Sequence, residues 1–379
     1  MSSRSSDQLA SAEVRPVFRV FPGEFAGGPI DLDLLSTSGE IRRWLVRRAR
    51  SASGAIHAWV DADTGVPAFE YPEITGYALT FWAAQSTATE DELEAGRQAA
   101  GWLGELVESG RLHAREGWDG HAVYNFDLAM MANGLLAFGV RHQPEAVATG
   151  IRLAAYLCDQ IGRDGWLESL DPDGSPRSSR SGWSTDGYVH LVKAAQCQLH
   201  AAALGLRDGV AAARAVVDRG LEFLTPDGRF VTQPDAELTM LHSHLYAVEG
   251  LWVFAEATGD DEARDAARAA TEWAWRQQLP SGGFPRWRAA NSQTAAPEQF
   301  DVTAQAVRAA VICGLEPEGL DRAVLRLDRC VLETPAGSAL PYQPETENIH
   351  ENAWVSMFGA QAYESALAGA PRFDWTTLV

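Results

Sequence analysis

The chain has 379 residues, 46% of them hydrophobic, and a formal net charge of −20 at pH 7. A negative field of this size repels nucleic-acid backbones and anionic membrane surfaces, so we expect neither as a partner. The hydrophobic fraction is enough for a large core. No segment approaches 18 uninterrupted apolar residues, and the first 18 residues contain no apolar signal-peptide region, which predicts a cytoplasmic protein.

After an N-terminal arm (1–39), one pattern recurs six times through a single predicted domain (40–379). An amphipathic helix rich in Ala, Arg and Leu leads into a glycine-containing turn, then an aromatic loop, and then a second, more apolar helix. The six turns read SASGAIHAW, ESGRLHAREGW, GRDGWLESL, TPDGRFVTQ, LPSGGFPRW and TPAGSALPY. A repeated supersecondary unit of this kind can bury its apolar helix only against its neighbours.

The first polar residues of the six second helices follow one another at intervals of roughly 55 residues. This period is too long for short helical repeats and fits an all-α, closed (α/α)6 barrel, a six-hairpin toroid, with long loops on one face. Small residues on the second helices (Gly134, Gly250, Ala306 and Gly359) predict close approach of the helix backbones. The aligned polar residues are Thr75, Asn125, Asp186, His244, Asp301 and Asn352.

If the second helices run parallel around a ring, their N-termini face one end and their polar residues share one mouth. The partial positive charge of six helix N-termini would then favour an anionic group there. Thr, Asn and Asp are also good N-cap residues, so helix capping is the alternative explanation for five of the six aligned positions.

The candidate acid/base residues are carboxylates and histidines predicted at this mouth. Glu73 is the first choice because Glu is not a natural N-cap, and Glu351 shares that property. His242 and His244 lie in the segment LHSHLYAVEGLW, where a role in the core is the alternative. The predicted catalytic set is Glu73, His244, Glu351, Asp186 and His242.

The remaining mouth residues are predicted to bind substrate. Aromatic faces stack on the apolar faces of sugar rings, and loop arginines in so acidic a chain suit a substrate carboxylate or phosphate. No H-E-x-x-H or Cys/His cluster occurs, so no metal is predicted. The predicted set is Tyr71, Tyr77, Trp118, Asp119, His121, Tyr124, Asp127, Trp183, Arg180, Tyr246, Arg286, Asp301, His350, Asn352 and Trp354.

The six-unit pattern, opened by SGAIHAWVDADTGVPAFEYPEITGY, resembles the six-hairpin toroid proteins, a group of glycosidases, polysaccharide lyases and sugar epimerases. The YPEITGY segment resembles uncharacterised polysaccharide-biosynthesis members of that architecture. This resemblance implies a carbohydrate-active protein, and the histidine pairs of its epimerases imply such roles for His244 and His350. The segment QQLPSGGF resembles the repeat of terpenoid cyclases and prenyltransferases, but no D-x-D-D motif accompanies it.

These observations predict an enzyme that performs acid/base chemistry on a saccharide or glycoconjugate, with no cofactor and a small-molecule or oligosaccharide substrate. Hydrolysis, elimination and epimerisation stay open, as does the oligomeric state. A non-catalytic glycan-binding toroid and a terpenoid cyclase-like toroid are the alternatives.

Overall fold

The structure is a computed structural model whose described part begins at residue 33. Among the described residues, no helix is long and apolar enough to cross a membrane, and no group of three or more His, Cys, Asp or Glu side chains is placed to hold a metal ion. The described residues are 33–85, 87–112, 122–161, 169–171, 175, 188–233, 237–289, 296–344, 347–367 and 374–379.

Helices of two kinds alternate along the described chain. The first kind, the outer helices, are amphipathic, with charged residues on the exposed face and apolar residues on the buried one. They are α1 (Leu34–Trp44, continued by a π-turn at Leu45–Ala49), α3 (Glu90–Glu108), α5 (Pro144–Gln160), α7 (Gly209–Leu221), α9 (Asp261–Trp275) and α11 (Leu320–Asp328).

The second kind, the inner helices, are buried on nearly every face. The sequences of such helices are apolar on most faces because almost no side of the helix is exposed to solvent. They are α2 (Pro72–Ala84), α4 (Asn125–His142), α6 (Ala195–Ala203, preceded by a 3-10 helix at Tyr188–Ala194), α8 (Leu241–Thr258), α10 (Phe300–Ile312) and α12 (Ala353–Leu367).

The inner helices pack in chain order, and the order returns to its start. Each inner helix contacts the next one along the chain, and α12 contacts α2. Each of the outer helices α3, α5, α7, α9 and α11 packs on the inner helix that precedes it, while α1 packs on α12. The predicted boundary at residue 40 therefore lies inside α1, a helix that contacts the last inner helix.

Glycine allows the inner helices to approach one another closely, as predicted for Gly134 and Gly250. A Cβ built on Gly134 would lie 2.2 Å from the carbonyl oxygen of Gly76, and one built on Gly250 would lie 2.3 Å from that of Val192. Gly359 instead makes room for the side chain of Leu340. Larger residues at the first two positions would push helix backbones apart.

Short antiparallel strands lead into three of the inner helices. A four-stranded sheet has the order β1-β8-β7-β6, and two pairs, β2-β4 and β3-β5, lie in the connections that follow α7 and α9. β2, β5 and β8 end directly before α8, α10 and α12, so they fix where those helices begin. The strands are β1 (Trp59–Asp61), β2 (Leu238–Met240), β3 (Phe284–Pro285), β4 (Trp287–Ala289), β5 (Glu298–Gln299), β6 (Leu332–Thr334), β7 (Gly337–Pro341) and β8 (His350–Asn352).

The fourth residue of four inner helices anchors the turn that precedes it. Thr75 Oγ1 accepts a hydrogen bond from the backbone N–H of Ile56 at 2.9 Å, and Thr303 Oγ1 accepts one from Phe284 at 3.1 Å. Ser356 and His244 do the same for Leu340 and Phe230. Because these buried N–H groups need partners, this position is reserved for a short polar side chain or a histidine.

Buried polar residues form a layer about two helical turns below the first turn, at the ninth positions of α8, α10 and α12 and at Lys193 in the 3-10 helix before α6. Glu249 of α8 forms ion pairs with Lys193 at 2.9 Å and with Arg308 of α10 at 2.6 Å, all three side chains being fully buried. The segment 374–379 closes this end of the described fold. Its backbone oxygens accept hydrogen bonds from Lys193, Arg308 and Gln361.

Candidate active site

A pocket of about 390 Å³ lies at the N-terminal ends of the inner helices. Half of its lining residues are Trp, Phe or Tyr, and two acids and two histidines lie among them, the composition expected of a small-molecule site. Its lining residues are Trp59, Phe69, Tyr71, Glu73, Ile74, His242, Tyr246, Asp301, Tyr342, His350, Asn352 and Trp354.

The second residue of four inner helices lines this pocket: Glu73 of α2, His242 of α8, Asp301 of α10 and Trp354 of α12. The N-termini of these four helices therefore converge, as the sequence predicts. In the first turn of a helix the backbone N–H groups have no intrahelical acceptor, so this end carries partial positive charge and favours the acids placed there.

His242 and Asp301 form a pair across α8 and α10. His242 Nδ1 lies 3.1 Å from Asp301 Oδ2, and Asp301 Oδ1 accepts a hydrogen bond from the backbone N–H of Val302 at 2.7 Å. A carboxylate this close to Nδ1 favours the tautomer with the proton on that nitrogen. In that tautomer the lone pair is on Nε2, which makes His242 suited to act as a general base.

Tyr246 forms the floor of the pocket, one turn below His242. The two rings meet edge to face with centroids 4.3 Å apart. Tyr77, one turn below Glu73 on α2, donates a hydrogen bond to the Tyr246 hydroxyl at 2.9 Å. Tyr77 is buried behind Tyr246 and does not line the pocket. The prediction that it binds substrate is therefore corrected: its hydroxyl contacts Tyr246 instead.

Burial raises the pKa of both phenols well above the ordinary value for tyrosine, and neighbouring negative charges raise it further. Glu73 is the first of these charges for Tyr246 and itself is only 2% exposed. Both shifts favour the protonated phenol, which can donate a hydrogen bond.

The wall opposite α8 and α10 comes from the antiparallel pair β1–β8. His350 stacks on Trp59 with centroids 4.8 Å apart and an interplanar angle of 13°. Asn352 is two residues further along β8 and therefore faces the same side. Tyr342, just after β7, lies against Trp354 at 5.5 Å. These contacts hold flat apolar surfaces at the mouth of the pocket.

His244 does not reach the pocket, which corrects its predicted catalytic role. Its Nδ1 accepts a hydrogen bond from the backbone N–H of Phe230 at 3.2 Å, and its Nε2 lies 2.9 Å from the carbonyl oxygen of Ala270. The side chain is fully buried, and burial lowers the pKa of the imidazole to about 4. His244 is thus a neutral structural residue, and the histidine of this segment that faces the pocket is His242.

Glu351 is also turned away from the pocket, contrary to its predicted catalytic role. Successive residues of a strand point to opposite faces, and His350 and Asn352 occupy the pocket face of β8. Glu351 Oε2 accepts hydrogen bonds from Trp44 Nε1 at 2.7 Å and Arg48 Nε at 2.5 Å. This carboxylate fastens the sheet to α1 and the π-turn that follows it.

Three more predicted binding residues lie outside the pocket lining. Tyr124 and Asp127 are buried at the start of α4. Arg286 is exposed, and its backbone connects Leu241 to Pro297. Six predicted residues lie outside the described part of the chain: Trp118, Asp119, His121, Arg180, Trp183 and Asp186.

Four pocket residues are absent from the predicted site: Trp59, Phe69, Ile74 and Tyr342. Trp59 and Phe69 pack edge to face at 5.5 Å. Trp59 begins β1, and Phe69 lies in the loop that also carries Tyr71. Both precede α2, so their nearness in sequence to Glu73 is the signal that could have found them. Tyr342 follows β7 and is brought to the pocket by strand pairing, which no local pattern indicates.

Comparison with known proteins identifies the fold but no family. No protein-family model matches the sequence, and no curated protein matches it. The unsaturated glucuronyl hydrolase of Bacillus sp. GL1 is similar in structure, with a TM-score of 0.69 and 10% identity over 89% of this chain and 97% of that one.

Two sugar epimerases are also similar in structure. One, from a ruminal bacterium, has a TM-score of 0.68 and 11% identity over 89% of this chain and 100% of its own. The cellobiose 2-epimerase of Spirochaeta thermophila DSM 6192 has a TM-score of 0.65 and 15% identity over 89% of this chain and 97% of its own. At such low identities the similarity establishes the mostly helical fold, and it leaves the reaction to be argued from the site.

Proposed function

We propose that the chain is an (α/α)6 toroid enzyme that performs acid/base chemistry on a saccharide. The observation that carries this proposal is the convergence of Glu73 with the His242–Asp301 pair in one aromatic-walled pocket. Trp59 and Trp354 offer faces on which a sugar ring stacks. The names of the similar structures, a glucuronyl hydrolase and sugar epimerases, support a saccharide as the substrate class.

Within this class we propose proton transfer at carbon, as in an epimerase or isomerase, rather than hydrolysis. Glycoside hydrolysis uses two carboxylates, one on either side of the bond that breaks. Asp301 is engaged on both oxygens, by the Val302 N–H and by His242. Its geometry supports the task of orienting His242, which favours a histidine base over a pair of carboxylates.

In the proposed reaction His242 Nε2 takes a proton from the carbon beside the carbonyl group of an open-chain sugar. The C–H electron pair becomes a carbon–carbon double bond, and a carbonyl electron pair moves onto oxygen. The imidazolium, stabilised by Asp301, gives that proton to the former carbonyl carbon, where the electron pair of the double bond forms the new C–H bond. Glu73 is the second acid/base group: it takes the proton of the neighbouring hydroxyl, whose oxygen becomes the new carbonyl, and gives a proton to the oxyanion.

The proposed cellular location of the protein rests on a separate observation. All four cysteines are unpaired thiols, as is usual in a reducing compartment. We therefore propose a cytoplasmic enzyme and, on the resemblance of its YPEITGY segment, a role in polysaccharide biosynthesis.

The test is exchange of a substrate proton with solvent. The protein is incubated in D2O with D-mannose and, separately, with cellobiose, and proton NMR follows loss of the C2 proton and formation of products. We expect exchange in the wild type, and its loss in Glu73→Gln and His242→Gln. Glu262→Gln, which changes an exposed carboxylate on α9, is the matched control and should retain the wild-type rate.

Other results would contradict the proposal in distinct ways. Release of a monosaccharide from cellobiose without exchange would assign hydrolysis. Binding without turnover, together with tolerance of Glu73→Gln, would make the chain a glycan-binding protein. No binding of any saccharide, with binding of a prenyl diphosphate, would favour the cyclase-like alternative.

A further inference from the structure

The two phenols below the catalytic candidates have an arrangement that the proposed acid/base pair does not require. Tyr77 stands four residues after Glu73, and Tyr246 stands four residues after His242, so each lies one turn deeper on its helix. Tyr246 lines the pocket and Tyr77 does not, and each of the two residues is only 1% exposed.

The direction of the hydrogen bond between them determines what Tyr246 can do. The Tyr77 hydroxyl donates to the Tyr246 oxygen at 2.9 Å. A phenol carries one hydroxyl hydrogen, so that of Tyr246 is not used in this bond. A hydroxyl that accepts a hydrogen bond is also a stronger donor, because hydrogen bonds in a chain polarise one another.

The ring of Tyr246 is held in place on several sides. Phe126 lies at 5.0 Å, Phe358 at 6.3 Å edge to face, and His242 at 4.3 Å. Phe358 also packs edge to face on Tyr77 at 5.5 Å. A donor fixed in this way needs no reorganisation when charge develops beside it, which is the condition for electrostatic stabilisation of a transition state.

We propose that Tyr246 is a catalytic residue that donates a hydrogen bond to the substrate oxygen on which negative charge develops, and that Tyr77 is a positioning residue that acts through it. This inference rests on the proposed function. When His242 takes the proton from carbon, the carbonyl electron pair moves onto that oxygen. The Tyr246 O–H stabilises the resulting oxyanion without giving up its proton. The high pKa of the buried phenol agrees with a donor that stays protonated.

The experiment measures kcat and KM of the exchange reaction in Tyr246→Phe, Tyr77→Phe and the double variant. Tyr246→Phe should lower kcat by about 10²–10³-fold with little change in KM, since the lost bond is made mainly in the transition state. Tyr77→Phe should lower kcat by roughly fivefold to tenfold. Added to Tyr246→Phe it should cause no further loss, because Tyr77 acts through Tyr246.

Two controls separate catalysis from folding. Tyr363→Phe on α12 removes the hydroxyl of another buried tyrosine, one that makes no hydrogen bond to another described residue, and should leave kcat unchanged. The double variant removes both partners of the buried hydrogen bond and so leaves neither hydroxyl unsatisfied. It should fold even where Tyr246→Phe is destabilised.

A binding measurement covers the case in which neither sugar is turned over. The hydroxamate of D-mannonic acid imitates the two adjacent oxygens of the intermediate, and calorimetry should show it binding at least tenfold more tightly to the wild type than to Tyr246→Phe. Exchange or hydroxamate binding that is equal in Tyr246→Phe and the wild type overturns this inference alone. Absence of both exchange and binding in the wild type overturns the proposed function with it.

Discussion

Two histidines of one helix turn, His242 and His244, should respond in opposite ways to the same substitution. We consider glutamine at each position. His244 bridges two buried backbone groups, the N–H of Phe230 and the carbonyl of Ala270. Its ring also packs against Trp273, with centroids 4.9 Å apart. Glutamine cannot reproduce this flat bridge.

The expected cost of His244→Gln follows from those contacts. Leaving a buried backbone group without its partner costs about 1–3 kcal/mol, and the lost ring packing adds to it. We expect the free energy of unfolding to fall by about 2–4 kcal/mol, measured by urea denaturation. The rate of C2 proton exchange, corrected for the folded fraction, should stay within about twofold of the wild type.

His242→Gln should leave the free energy of unfolding nearly unchanged and strongly lower the rate of C2 proton exchange. The glutamine amide can still donate a hydrogen bond to Asp301, so we expect unfolding to change by less than about 1 kcal/mol. Loss of the base should lower the exchange rate by about 10²–10⁴-fold. Activity that survives His242→Gln, or that disappears in folded His244→Gln, would refute the assignment of the two residues.

Three further changes test other parts of the structure. Burial lowers the pKa values of His244 and His200 to about 4, so as the pH falls both imidazoles bind protons in the unfolded state before they do so in the folded state. The free energy of unfolding should therefore have its full value above pH 6.5 and decrease as the pH falls from there towards 4. His244→Gln should weaken this pH dependence, measured as the midpoint of urea denaturation at each pH. Glu351→Gln weakens the pairing with Arg48 and should lower the free energy of unfolding by about 2–3 kcal/mol while kcat stays within about twofold. Loss of activity with unchanged stability would instead show that Glu351 acts in the active site. Gly134→Ala places a methyl group against the α2 backbone and should lower the melting temperature with a cost of about 1–3 kcal/mol, and an unchanged melting temperature would contradict the close helix contact.

The repeat could be predicted from the sequence because each unit carries its own local signals. Apolar periodicity marks the helices, and glycines mark both the turns and close contacts such as that at Gly134. The convergence of helix N-termini follows from the repeat, and it places Glu73, Asp301 and Trp354 in one pocket without knowledge of any distance.

The exact register within the first helical turn could not be predicted. In α2, α8 and α10 the second and fourth residues are both polar, but the second lines the pocket and the fourth accepts a hydrogen bond from a backbone N–H of the preceding turn. Thr75 and His244 occupy the fourth position, whereas Asp301 occupies the second, so aligning first polar residues mixed two structural roles. Only the partners of His244, which are 14 and 26 residues away, reveal the difference.

Residues on strands were harder still to place. Glu351 lies between two residues that line the pocket, and the pleat alone turns it towards Arg48. Without the β1–β8 register, in which Val60 is paired with Glu351, nothing in the sequence separates it from His350. Tyr342 follows β7 and reaches the pocket through the pairing of β7 with β8.

The central claim is that one saccharide unit occupies the pocket between the aromatic walls and the His242–Asp301 pair. A crystal structure of the protein with D-mannitol, the reduced form of mannose that cannot react, tests it most directly. We predict that the ligand lies against Trp59 and Trp354 with oxygens within hydrogen-bond distance of His242 and Tyr246. A ligand bound elsewhere, with this pocket left to solvent at saturating concentration, would contradict the claim.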